Sequence, residues 1–271
     1  MIYIGTAGIP GCCKGCNSIE GIKTISNLGL NAMEVEFVRG VKMNLDMAKK
    51  LGETAKKYNV KLSIHAPYYI NLCSEDKSKI QASKKRIIDS CERASKMNAD
   101  IVVFHPAYYG KLTPEQAFEK VEQECNNMLD MLKKKKIDNV YLGLETTGKL
   151  SQFGTLDEII KLCKRNKKCR PVIDFAHIYA RQGGNINFYE IFDKLKTLRL
   201  KHIHSHFSGI NYSLVEKGKG NEKNHLPLDQ CKIDYKKLAD IIKKKRINIT
   251  LISESPILEI DALKMKKYLN L

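Results

Sequence analysis

The feature that constrains the fold most is a regular alternation of short β-branched segments with amphipathic helical patterns. The predicted strands cover residues 2–5, 32–37, 61–65, 100–105, 139–145, 171–175, 200–207 and 249–254. The predicted helices cover residues 19–28, 45–58, 77–97, 114–135, 155–166, 187–197, 234–245 and 260–269. Eight strands alternating with eight helices are typical of parallel βαβ units, and a closed barrel is their simplest arrangement. We therefore predict an α/β fold, a (β/α)8 TIM barrel that forms a single domain over residues 1–271.

An open, doubly wound sheet shares this alternation. The count of eight strands and the absence of a Gly-x-Gly-x-x-Gly pattern after the first strand favour the barrel. One long non-helical insert follows the seventh strand, at about residues 207–232. Because loops of this length in compact domains are usually functional, we predict that the insert is an active-site loop.

Histidine and carboxylate side chains stand at the carboxyl ends of predicted strands three to eight. In a barrel these ends converge on one face, where active sites lie. Each residue alone has a structural explanation, such as a hydrogen-bonded histidine or an aspartate that caps the next helix. Together, without a cation, they would bury mutually repelling and poorly solvated groups. The candidate metal ligands are His65, His105, Glu145, Asp174, His177, His204 and Glu254 at the strand ends, with His225 in the long loop.

This ligand inventory indicates more than one metal ion. Mixed histidine and carboxylate ligands suit zinc, or manganese where carboxylates dominate, and one zinc ion is usually satisfied by four ligands. Eight candidates therefore favour two or three zinc ions, with manganese as the alternative at one position. Clustered ions clamp a phosphodiester and stabilise its leaving oxygen, so the pattern predicts hydrolysis of a phosphate ester.

At these residues the chain resembles endonuclease IV, the zinc-dependent family of apurinic/apyrimidinic endonucleases. The segments that carry the resemblance run through nearly the whole chain: HAPYYINL (65–72), FHPA (104–107), LETTGK (144–149), DFAHIYA (174–180), HIHSH (202–206), NHLPL (224–228) and LISES (251–255). The resemblance implies a DNA-repair enzyme that hydrolyses the phosphodiester 5′ to abasic sites in duplex DNA. It also implies a cluster of three zinc ions, and the substrate class extends to 3′-blocked lesions.

The resemblance further implies a role for each ligand. Glu145 matches the catalytic glutamate that bridges metals and orients the attacking hydroxide, and His65 and His105 match histidines at the more exposed ion. The remaining residues match ligands of the other ions: Asp174, His204 and Glu254 around the paired ions, and His177 and His225 at the third.

Three positions leave alternatives open. The family usually has an aspartate two residues before the loop histidine, where this chain has Lys223. Either Glu222 substitutes after a shift of the loop, or the third metal binds more weakly. The first loop, IGTAGIPGCCKG, also lacks the histidine common in the family. In the seventh strand His204 matches the family position, but His206 lies on the same side of the strand and is the alternative.

The charge of the chain points to nucleic acid as a partner. The formal net charge is +17, and such a surplus attracts polyanions. Lysine-rich solvated helix faces or adaptation to heat would produce the same surplus. Arg39 follows the second strand and matches a DNA-contacting residue only by location. Tyr68 matches a tyrosine placed against the damaged site, and Tyr69 is a second candidate for the space left by a missing base.

Two other functions fit the same residues. A sugar isomerase or epimerase of the xylose-isomerase-like barrels needs one manganese or magnesium ion, which Glu145, Asp174, His204 and Glu254 would hold. It has no need of the four other histidines as ligands. A DNA-binding protein that has lost its third metal is the second alternative, because of Lys223.

Nine cysteines in a chain without a visible signal peptide argue against a disulfide framework. Cys12, Cys13 and Cys16 form the one cluster, and C-x-x-C can bind zinc or carry out redox chemistry. No second cysteine pair follows at zinc-finger spacing, so we expect buried or loop thiols. Since no apolar stretch is long enough to cross a bilayer, we expect a cytoplasmic protein with neither a membrane partner nor an obligate protein partner.

Overall fold

A computed structural model describes all residues, 1–271, and its central feature is a closed barrel of eight parallel strands. The predicted fold class is confirmed. In chain order the elements are β1 (Ile2–Ala7), α1 (Ser18–Asn27), β2 (Ala32–Glu36), α2 (Leu45–Lys57), β3 (Lys61–His65), α3 (Lys77–Met97), β4 (Ile101–Phe104), β5 (Ala107–Tyr108), α4 (Pro114–Lys134), β6 (Tyr141–Glu145), β7 (Gln152–Phe153), α5 (Leu156–Arg165), β8 (Cys169–Asp174), α6 (Phe175–Arg181), α7 (Phe188–Lys196), β9 (Ile203–Phe207), β10 (Gly209–Glu216), β11 (Lys219–Leu226), a 3-10 turn (Leu228–Gln230), α8 (Tyr235–Lys245), β12 (Ile249–Ser253) and α9 (Leu258–Leu269).

The barrel strands follow the chain order β1, β2, β3, β4, β6, β8, β9 and β12, and β12 closes the barrel on β1. The register across this closure pairs Ile4 with Leu251. Each predicted strand corresponds to one barrel strand, with ends that differ by up to three residues. The two short strands β5 and β7 pair with each other outside the barrel, in the loops after β4 and β6.

All α-helices except α9 begin where the sequence supplies a capping side chain. At α4, Thr113 and Gln116 form a reciprocal capping box, and Pro114 occupies the first helical turn. At α5, Thr155 and Glu158 form the same arrangement. These caps fix where each helix leaves its loop, and so they fix the loops at the carboxyl ends of the strands.

The main core lies between the barrel and its surrounding helices. Along β6, Leu142 and Leu144 are fully buried on the outward side, beneath the helices. The intervening positions point into the barrel, because successive side chains of a strand face opposite sides. This places Glu145, the last residue of β6, inside the barrel at its carboxyl end.

The insert predicted as a non-helical loop at about 207–232 is mostly an ordered β-hairpin. β10 and β11 pair antiparallel, and the hairpin turns at Gly218, which has a positive φ of 79°. The hairpin packs on α6, a short helix that the sequence patterns did not predict, with the Tyr179 and Tyr212 rings 5.6 Å apart. The strands were missed because GINYSLVE and KGNEKNHL carry polar side chains on both faces.

The loop between β1 and α1 differs from the expectation of buried or loop thiols. Cys13 and Cys16 are joined by a disulfide, in a tight turn where the Cys16 amide donates to the Cys13 carbonyl at 3.1 Å. The Glu259 carboxylate accepts hydrogen bonds from the amides of Gly11 and Cys12, both at 2.8 Å.

Among the helices, none is both long enough and apolar enough for a membrane crossing.

Candidate metal centre

The carboxyl end of the barrel encloses a cluster of imidazoles and carboxylates. Its members come from seven barrel strands or the segments that follow them, because the inward positions near these strand ends carry polar residues. The potential ligands fall into adjoining groups whose donor atoms lie within 4.8 Å of one another. The predicted convergence of strand ends therefore brings seven of the eight candidate ligands to one place.

The first group consists of His65, His105 and Glu145. The Nε2 atoms of the two histidines lie 3.2 and 3.0 Å from the same oxygen of Glu145, Oε2. The Nδ1 atom of His65 lies 2.8 Å from the carbonyl of Ala66, which fixes the ring with Nε2 toward the group. Glu145 is fully buried, and no lysine or arginine pairs with it.

The second group combines Glu145 with Asp174, His177 and Glu254. The two oxygens of Asp174 differ in their contacts. Oδ1 accepts a hydrogen bond from the His177 amide at 2.6 Å and so caps α6, whereas the buried Oδ2 has no hydrogen-bond partner. Because an unpartnered buried carboxylate oxygen is costly, this free oxygen is suited to ligate a cation. His177 Nδ1 lies 3.3 Å from Glu145 Oε1, so Glu145 adjoins both groups.

The third group contains His177, His225 and Glu254, and the carboxylate of Glu222 lies beside His177. Glu222 Oε2 lies 3.1 Å from His177 Nε2 and is another buried oxygen without a hydrogen-bond partner. Burial raises the pKa of Glu222, but the combined positive charges of nearby groups, with His177 first, outweigh burial and lower the pKa.

A β-bulge explains how Glu222 reaches this position. In the hairpin Asn211 pairs with Asn224, whereas the next residue, Tyr212, pairs with Glu222, so that Lys223 is the extra residue. A bulge shifts the alternation of side chains by one position. Lys223 therefore points to solvent, and Glu222 turns inward beside His225 although three positions separate them.

At β9 the structure separates the two alternative histidines. His206, rather than His204, reaches the second group: its Nδ1 lies 3.1 Å from Glu145 and 3.2 Å from Glu254. The register sets His206 level with Asp174 and His204 level with Val172. His204 thus lies deeper inside the barrel than His206, because residues two apart on a strand are roughly 6.6 Å apart along it.

Sequence reasoning did not single out Glu34 and Glu36, which point into the barrel from β2. Glu34 Oε2 lies 2.9 Å from His204 Nε2. Glu36 lies level with His65, has a buried oxygen without a partner, and has a pKa raised to about 7 by burial. The sequence does contain a signal for these residues, because β2 carries two acids at alternate positions and its other residues are apolar.

The pocket attracts positive charge. Burial lowers the pKa of His65, but a hydrogen bond with Glu145 and the nearby Glu36 outweigh burial and raise this pKa to about 10. Burial raises the pKa of Glu254 to about 8. Burial alone would also raise the pKa of Glu145, but His105 and His206 hold it well below its usual range. An acid-rich pocket with mixed oxygen and nitrogen donors and unpartnered buried oxygens fits divalent cations.

The residues predicted to contact DNA lie on the rim of this pocket. Tyr68 and Tyr69 are exposed to 58% and 65%, and Arg39 is also exposed. The Tyr68 ring lies 5.7 Å from the His65 ring, which places one aromatic surface directly beside the first group.

Comparisons with known proteins agree with this fold. Residues 22–267 match a family described as xylose isomerase-like TIM barrel. An uncharacterised protein from Methanocaldococcus jannaschii is 38% identical over 100% of this chain and 97% of its own length. A probable endonuclease 4 from Mycoplasmopsis pulmonis is 30% identical over 71% of this chain and 69% of its own length.

Two solved structures show the same fold at low identity. Endonuclease IV from Thermus thermophilus superposes with a TM-score of 0.68 at 19% identity, covering 94% of each chain. A D-tagatose 3-epimerase-like protein superposes with a TM-score of 0.68 at 19% identity, covering 93% of each chain. At these identities the superpositions speak for the fold alone.

Proposed function

The chain belongs to the xylose isomerase-like TIM barrel family, with a confirmed resemblance to endonuclease IV, and from that premise we propose that it is a zinc-dependent endonuclease. Its substrate is duplex DNA with abasic or 3′-blocked lesions, and it hydrolyses the phosphodiester 5′ to an abasic site. The observation that carries this proposal is the sharing of ligands among adjoining groups. Glu145 adjoins the first two groups, and His177 and Glu254 belong to both the second and the third.

A shared set of this kind supports two or three ions. The ligands are His65, His105, Glu145, Asp174, His177, His206, Glu222, His225 and Glu254, with His206 in the place first given to His204. When bound, divalent ions supply an activated water and positive charge for the departing oxygen. Glu145 holds the central position because its two oxygens face different histidines. In this proposal Tyr68, Tyr69 and Arg39 hold the DNA at the rim, and the net charge of +17 attracts the DNA to the protein.

Cleavage of a duplex with one abasic analogue tests the proposal. We expect zinc-loaded protein to nick the damaged strand on the 5′ side of the analogue and to leave an undamaged duplex intact. Glu145→Gln keeps the size of the side chain and removes its charge, and should lower the rate by a factor of roughly 10² or more. Glu119→Gln makes the same change on the exposed face of α4 and should cut like the wild type. Equal rates in the two variants would refute the proposal.

A sugar epimerase with one ion is the second candidate. It is favoured by the compact set of Glu145, Asp174, His206 and Glu254, which would suffice for one ion, and by the likeness to an epimerase-like fold. This function predicts conversion of ketohexoses by manganese-loaded protein and no nicking of DNA. The inward position of Glu222 supports the endonuclease over both this candidate and a DNA-binding protein without a third ion.

A further inference from the structure

A carboxylate that the three ligand groups do not use lies directly beneath them. Glu34 is fully buried in the barrel. Its Oε2 accepts hydrogen bonds from Ser63 Oγ at 2.7 Å and from His204 Nε2 at 2.9 Å. No lysine or arginine balances its charge. A buried carboxylate costs several kcal/mol of desolvation, so partners of this kind have to compensate for it.

The second oxygen of Glu34 faces His206. Glu34 Oε1 lies 2.8 Å from His206 Nε2, and neither atom has an aligned hydrogen bond to any partner. On the opposite side of the ring, Nδ1 faces Glu145 and Glu254 at 3.1 and 3.2 Å. The ring of His206 therefore stands between a deep carboxylate and the ligand groups, with one nitrogen toward each.

The chemistry of imidazole connects these two contacts. A neutral ring carries one N–H and one lone pair, and a partner that accepts the N–H decides which nitrogen keeps the lone pair. We propose that Glu34 is a positioning residue whose negative charge, 2.8 Å away, keeps the proton of His206 on Nε2 and so presents the Nδ1 lone pair to a metal ion. This inference rests on the metal centre of the proposed function. Carboxylates behind metal-binding histidines have this role in general.

His204 and Ser63 hold Glu34 in turn. Both donate to Oε2, which leaves Oε1 for His206. The competing arrangement has an ion bound directly by Glu34, His204 and His206, since these three residues could also form a ligand group. In that arrangement the Nε2 of His206 would bind the inner ion, and its Nδ1 would no longer be free for the outer groups. The two arrangements differ in the number of ions per chain.

Glu34→Gln and Glu34→Ala test the inference through metal binding. Chelator competition should show metal affinity weakened by roughly 10- to 100-fold in Glu34→Ala and by less in Glu34→Gln, which keeps a weak acceptor oxygen. The number of ions bound at saturation should stay at the wild-type value. In cobalt-loaded protein the visible absorption bands should shift, because the orientation of one ligand changes. Glu119→Ala makes the same truncation on the exposed face of α4, far from the ligand groups, and should keep the wild-type metal affinity.

Several results would overturn the inference. One is wild-type affinity and an unchanged cobalt spectrum in both Glu34 variants, provided that thermal melting shows them folded. Another is the loss of one whole ion at saturation, which would make Glu34 a ligand. If the wild-type protein binds several ions and nicks abasic DNA, and the Glu34 variants have the same metal affinity, the inference about Glu34 is wrong but the proposed function stands. A wild type that binds no metal removes the proposed function as well.

Discussion

Replacing Glu222 with glutamine removes one negative charge from beside His177 and leaves the size of the side chain unchanged. The change tests whether the bulge at Lys223 makes Glu222 a ligand of the third group. We expect Glu222→Gln to lose affinity for one ion while the ions at the other two groups remain bound.

The magnitude follows from the geometry. Glu222 Oε2 lies 3.1 Å from His177 Nε2, and its side chain is 16% exposed. A divalent ion carries two positive charges, so at an effective dielectric constant of about 20 its interaction with a carboxylate at such a distance is roughly 10 kcal/mol. Glutamine retains a neutral ligand oxygen and needs less desolvation, so we expect about a quarter of this to be lost. A loss of about 2.5 kcal/mol corresponds to a ~70-fold weaker affinity for the third ion.

Zinc titration followed by native mass spectrometry measures this effect, because it resolves proteins with different numbers of ions. Lys223→Ala is the matched control: the residue is adjacent in the chain but exposed, and its loss should leave all affinities unchanged. Retention of the third ion at wild-type affinity in Glu222→Gln would refute the bulge argument. Weaker binding in Lys223→Ala, with Glu222→Gln unaffected, would contradict it equally.

Three further predictions concern pH, aromatic contacts and salt. In metal-free protein the folded-state pKa of His65 is raised to about 10 and that of Glu254 to about 8. Both residues therefore contribute stability at low pH, and this contribution is lost as the pH rises through those values. The pKa of His225 is lowered by burial, which opposes this trend near neutral pH. Urea unfolding in the presence of a chelator should still show a falling free energy of unfolding between about pH 7 and 10, and a rise would contradict the charge arrangement of the pocket. Tyr68→Ala and Tyr69→Ala should each weaken binding of an abasic duplex by about 10-fold in fluorescence anisotropy, because base stacking is lost. Thermal stability should change little, since both rings are exposed. Unchanged binding would remove these tyrosines from the DNA interface. Raising salt from about 50 to 200 mM should weaken duplex binding steeply, and a flat response would argue against nucleic acid as the partner.

The ligands at strand ends could be predicted because two simple rules locate them. Strand periodicity assigns each residue to the inside or outside of the barrel, and a parallel barrel brings all carboxyl ends to one face. His65, His105 and Glu145 needed nothing more, and in the first group each histidine places its Nε2 within 3.2 Å of the same Glu145 oxygen.

The remaining positions depend on information that no local pattern contains. His204 and His206 share one side of β9, and the register with β8, which sets His206 level with Asp174, decides between them. The bulge that turns Glu222 inward depends on pairing between β10 and β11, whose polar sequences give weak strand signals. Glu34 and Glu36 were within reach of the same periodicity, but acids inside a strand of otherwise apolar residues are easily read as its solvent face.

Anomalous diffraction at the zinc absorption edge, from crystals of zinc-loaded protein, shows whether several ions share one pocket around Glu145. We expect two or three peaks, with Glu145 contacting at least two of them and Glu222 contacting the one beside His177. A single peak among Glu145, Asp174, His206 and Glu254, at full occupancy and with excess zinc, would exclude a shared cluster and favour a one-metal sugar epimerase.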